Sequence, residues 1–140
     1  MIRKDMKKIL FAAAGLLFSL CPVMAQQQQM SPEEREKKME EFIQKEVERM
    51  ESSLKLEDWQ VFYADSILHH DYVALQEELT ALQESKVSNP DLYTIANDKW
   101  AEQIYNAMHG ILNEEQWQKY LKSGAARSKK ARDKRKAKIN

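Results

Sequence analysis

Residues 58–85 read DWQVFYADSILHHDYVALQEELTALQES, and this stretch decides the fold. Val61, Leu68, Leu75 and Leu82 recur every seven residues, and Tyr72 and Leu79 each follow one of them by four. No glycine or proline interrupts the run. A seam of this period predicts one long helix with roughly coiled-coil spacing, ~40 Å long at 1.5 Å per residue. Trp59, Phe62, Tyr63 and Ile67 give it a second, aromatic edge.

Working outward, Val87-Ser88-Asn89-Pro90 is the main break. Asn89 is expected to cap a third helix with Pro90 at its first position. Leu92, Tyr93, Ile95, Ala96, Trp100, Ile104, Ala107, Met108 and Ile111 make its broad apolar face, and Gly110 is the expected stop. A short fourth helix follows, from about Glu114 to Ser123, ended by Gly124. Upstream, Ser31 caps the first helix, with Pro32 at its first position and Glu34 closing a capping box. Its apolar stripe is Met39, Phe42, Ile43, Val47 and Met50, and it is expected to run to about Ser52. The short connection between the second and third helices predicts an antiparallel pair. The fold class is therefore all-α: an elongated antiparallel helical hairpin with flanking helices, four helices in total. Three glycines in 140 residues are too few for a turn-rich β fold.

Residues 1–25 read as a secretory signal peptide. Arg3, Lys4, Lys7 and Lys8 form a positive start, and Ile9 to Leu20 is an apolar run too short to span a bilayer. Val23 and Ala25 place the expected cleavage before Gln26; an uncleaved anchor is the alternative. Leu20 in front of Cys21 argues against a lipoprotein. With the leader goes Cys21, the one cysteine, so no disulfide or thiol chemistry is expected. Residues 26–30 form a polar linker, 31–123 the helical domain and 124–140 a basic tail, expected to be disordered or a frayed helix.

The zero net charge conceals an asymmetry. Residues 26–121 carry 20 acidic and 9 basic side chains, whereas residues 122–140 carry nine basic ones against Asp133 alone. The tail residues Arg127, Lys129, Lys130, Arg132, Lys134, Arg135 and Lys136 are candidates for polyanion contact. The fitting partners are anionic membrane phosphates, an acidic client, or the protein's own acidic body; a solubilising tail is the bland alternative. The leader and the lack of interleaved aromatics argue against nucleic acid.

Two helix starts share a pattern. Leu56-Glu57-Asp58-Trp59-Gln60 precedes the second helix and Leu112-Asn113-Glu114-Glu115-Gln116 the fourth, each with a Gln four residues after a Leu. In the second copy Asn113 is the cap, Gln116 returns a bond to its amide, and Leu112 staples onto Trp117. In the first copy Glu57 is a poor cap, and Asp58 is the expected replacement, one residue on.

With its leader, helical body and two copies of this motif, the chain resembles the CpxP/Spy family of periplasmic stress proteins, whose mark is a repeated Leu-Thr-x-x-Gln. The likeness covers roughly residues 31–123; Glu57 and Asn113 stand where the family has Thr. The resemblance implies a helical hairpin that dimerises into a thin curved cradle, located in the periplasm. It also implies that Leu56, Gln60, Leu112 and Gln116 are structural. Family members include ATP-independent chaperones, accessory inhibitors of envelope-stress sensors and metal-responsive relatives.

Function is expected to follow from apolar surface. Residues 26–121 hold ten aromatics, more than so small a domain encloses, so some are expected at a homodimer contact or facing a partner. Met39, Phe42, Ile43 and Met50 are the candidate client-binding residues. The expected activity is chaperone-like binding of unfolded or misfolded envelope proteins. A regulatory adaptor docking on a stress sensor and a metal-responsive protein are the competing readings. No Gly-rich phosphate loop, paired cysteines or nucleophile elbow is present. Carboxylate pairs such as Glu77-Glu78 sit on solvated faces, so neither catalysis nor a cofactor is expected. His69 and His70 point about 100° apart on a helix. A metal would therefore need His70 and Asp71 to meet His109 across the hairpin.

Overall fold

The computed structural model describes residues 30–139. The signal peptide expected over residues 1–25, and residues 26–29 of the linker, lie outside the described residues. The elements are helices α1 (Pro32–Leu54), α2 (Asp58–Glu84), α3 (Pro90–Ile111), α4 (Glu114–Tyr120) and α5 (Ala126–Ile139), with a wide π turn, Leu121–Ala125, between the last two. Among the described residues there is no strand, and the chain is all-α.

The chain divides into two units, residues 1–37 and 38–140. In the first, the described part is the opening of α1. The Ser31 amide donates to Glu34 Oε2 at 3.0 Å and the Glu34 amide to Ser31 Oγ at 3.2 Å. This reciprocal box satisfies two of the amides a helix start leaves without partners.

The second unit holds the core. Ile43, Val47, Met50 and Leu54 line one stripe of α1 and are buried with Ala64 and Leu68 of α2, Met108 of α3, Leu112 and Trp117. Burying each large apolar side chain contributes about 1.5–3 kcal/mol. Helices α2 and α3 run antiparallel. Gln103 donates to Asp71 at 3.0 Å, and further along α2 the Trp100 indole N–H donates to Glu78 at 2.7 Å.

Lys99 joins Trp100 on Glu78, and these two bonds, Lys99 first, hold the Glu78 carboxyl below the usual carboxylate range. A lowered carboxyl value favours the fold above the unfolded value of about 4.3, and that contribution is lost as pH falls through the lowered folded value. The stability gap between wild type and Glu78→Gln, read from urea midpoints, is therefore expected to be constant near neutrality and to shrink below about pH 4.

Several helix ends differ from the expectation. Glu57, not Asp58, caps α2. Its amide is satisfied by Gln60 Oε1 at 2.9 Å, and its carboxylate is occupied by the Trp59 indole N–H at 2.7 Å. Gly110 does not stop α3, which continues to Ile111, with Leu112 extended as the cap. Asn113, capping the next helix, makes the break instead. Helices α1 and α2 end on lysines in the left-handed region, Lys55 at φ 51° and Lys86 at φ 53°. Behind each, an amide reaches back five residues, Leu56 to Glu51 at 3.2 Å and Val87 to Leu82 at 3.0 Å.

The expected fourth helix is interrupted after Tyr120 by the π turn, where Gly124 takes φ 119°. A Cβ there is strained in any L residue, which is why glycine serves. Beyond it, the tail expected to be disordered or frayed is the helix α5.

Candidate functional site

The two motif copies meet. Because α2 and α3 are antiparallel, the start of α2 lies beside the end of α3, where α4 begins. There Gln60 and Gln116, both buried, exchange amide bonds: Gln60 Nε2 donates to Gln116 Oε1 at 2.7 Å and Gln116 Nε2 to Gln60 Oε1 at 2.9 Å. Each then repeats the other's remaining contacts. Gln60 accepts from the Glu57 amide at 2.9 Å and Gln116 from the Asn113 amide at 3.0 Å. Gln60 donates to the Ile111 carbonyl at 2.8 Å and Gln116 to the Lys55 carbonyl at 3.3 Å. The result is a two-fold-like clasp, with the residue before each motif leucine held by the opposite glutamine. Each Oε1 faces an N–H and each Nε2 a C=O, so the network fixes both amide orientations. Leu112 is buried and Leu56 packs partly buried against the core.

The clasp turns the opposite face of the α2 start outward. Gln60 and Ala64 point in, so Trp59, Phe62 and Tyr63, spaced i, i+3 and i+4, point out together. They are 49%, 67% and 52% exposed. Their rings interlock edge to face: Trp59 on Tyr63 at 6.2 Å, Phe62 on Tyr63 at 5.6 Å. The Trp59–Glu57 bond pins the first ring in place. The exposed ring surface is on the order of 300 Å², the scale of the largest patches found on monomers and often a functional one. Val73, also exposed, continues the same arc along α2.

The candidate client-binding set from α1 is divided by the structure. Ile43 is wholly buried and Met50 nearly so, because the α1 stripe faces the core. Met39 is partly buried against that core. Phe42 alone is exposed, at 44%, with its ring edge on Tyr72 at 5.2 Å. The open aromatic surface lies on α2 instead. The sequence displayed it as an aromatic edge; what it did not display was which α2 edge faced out.

The tail residues are also divided. Arg132 is buried: its Nε donates to Glu102 at 3.1 Å, its Nη1 to Ser128 at 2.9 Å, and its guanidinium lies 5.6 Å from the Tyr105 ring. Arg135 grips Asp98 with two bonds, 2.7 and 2.6 Å. Lys129 reaches Glu102 at 3.3 Å and Asp133 at 2.5 Å. Thus acids of α3 receive the inner face of α5. A cleft of about 450 Å³ between α3 and α5 is lined by these same ion pairs, with Ile95 and Ile139 at its margins. Lys136 is exposed and lines that cleft, and Arg127, Lys130 and Lys134 are exposed on α5.

The histidines do not converge. His69 lies 3.4 Å from Glu40, His70 bonds Asp71 at 2.7 Å, and His109 stacks on Trp117 at 4.2 Å. Among the described residues no three histidine, cysteine or acidic side chains group to hold a metal, and no helix is long and apolar enough to cross a membrane. No protein-family model matches this chain, and no curated protein or solved structure shows significant similarity to it.

Proposed function

We propose that this chain is a non-catalytic binding protein that holds unfolded polypeptide, an ATP-independent chaperone-like activity exercised outside the cytoplasm. The observation that carries this reading is the Trp59–Phe62–Tyr63 patch. Three interlocked rings stand in solvent while Gln60, Ala64 and Leu68 of the same helix are buried. Exposed rings that brace one another give broad apolar contact at low entropic cost and little demand on the partner's sequence. The acidic side chains Asp58 and Asp65 on neighbouring positions of α2 supply a charged rim. The leader-like residues 1–25 and the likeness to the CpxP/Spy family support the location.

The test is suppression of aggregation of a chemically denatured protein, measured by light scattering at near-stoichiometric ratio. Phe62→Ser with Tyr63→Ser is expected to weaken suppression at least about tenfold, as loss of central aromatic anchors does. Both residues are exposed, so the melting temperature is expected to stay nearly constant. Undiminished suppression by a folded double variant contradicts the reading.

A further inference from the structure

The outward face of α5 is a second surface, of different chemistry. Arg127, Lys130, Lys134 and Lys138 are all exposed and fall within an arc of about 80° on the helix. They form a straight row ~16 Å long. Their neighbours Lys129, Arg132 and Arg135 face the other way, neutralised on Glu102 and Asp98. Asp133, the one acid of residues 122–140, is taken up by Lys129. The inner face thus fixes the helix, and the outer face presents positive charge alone.

We propose that this row docks the protein on an anionic lipid surface. A straight row of charges on a rigid helix suits a flat sheet of phosphates, and its anchoring pairs are already made, so docking orders little further. The apolar residues flanking that arc, Ala131 and Ala137, are both alanines, so the row has neither a ring to stack on a base nor an anchor for a polypeptide groove. For the same reason the helix lies on the headgroups and does not insert, which distinguishes it from amphipathic membrane helices. Attachment is purely electrostatic and salt-reversible. The row is separate in sequence from the aromatic patch and stands or falls independently of it.

Each basic residue near such a surface contributes about fivefold to partition. The test is flotation of the purified chain with vesicles of phosphatidylcholine containing phosphatidylglycerol, against pure phosphatidylcholine, at low salt. The expected result is binding to the anionic vesicles, reduced about 25-fold by Lys130→Gln with Lys134→Gln. Helicity and aggregation suppression are expected to be unchanged in that variant. Binding to pure phosphatidylcholine, to which the apolar leader contributes if retained, is expected to be equal in both proteins. Equal anionic binding by wild type and variant overturns the proposal. So does capture of polyglutamate or an oligonucleotide through Lys130 and Lys134 without any binding to anionic vesicles.

Discussion

Gln116→Ala is expected to destabilise the fold by about 3 kcal/mol. Removing the side chain leaves the Asn113 amide and the Lys55 carbonyl without their partners, and it strips one bond from each end of the Gln60 amide. A buried polar group left unpaired costs about 1–3 kcal/mol, and the vacated space adds to it. In thermal unfolding the loss amounts to a drop of roughly 15 °C for a domain of this size. Gln60→Ala is expected to cost a similar amount for the mirrored reasons. The double variant is expected to fall short of the sum by at least ~1 kcal/mol, because the two amides satisfy each other. Strict additivity in such a cycle contradicts the clasp.

Ile43→Ala is expected to cost about 3–4 kcal/mol, since the side chain is wholly enclosed and its removal leaves a cavity among Val47, Leu68 and Met108 or their neighbours in the same core. The outcome separates two roles for the α1 stripe. A core residue lowers the urea midpoint and leaves client affinity of the folded protein intact. A client-binding residue does the reverse. Ile43 and Met50 are buried, and the first outcome is expected for them; Phe62 and Tyr63 are exposed, and the second is expected for them under the proposed function.

Much of the fold is legible along the chain because it is locally encoded. The Ser31 box, the Asn89 cap with Pro90 behind it, and the Asn113–Gln116 box are each written within four residues, and the structure has all of them. The stripe of α1 is likewise plain as a stripe. What it faces is not, since periodicity marks an apolar face without saying whether core or partner covers it. The glutamine pair lies 56 residues apart. Each copy reads locally as a capping residue, and only the antiparallel return of α3 turns two caps into one clasp. The order of α5 is hidden for a similar reason. Its sequence has no apolar stripe and a surplus of like charge, and the acids that receive Arg132 and Arg135 lie at Glu102 and Asp98 on α3. Gly110 misleads because a glycine marks a stop only where the backbone must take positive φ, and here the extended Leu112 ends the helix without it.

The division of labour follows from these placements. One face of the α2 start closes the domain through Gln60, and the rings stand on the other face of the same turns.

The most direct measurement is site-specific photocrosslinking. A benzophenone side chain placed at Phe62 is expected to form adducts with a denatured client and not with the same client folded, whereas one placed at the exposed Gln83, at the far end of α2, is expected to form few. Absence of adducts at position 62, or equal capture at both positions, contradicts the assignment of the aromatic patch as the surface that holds unfolded chains.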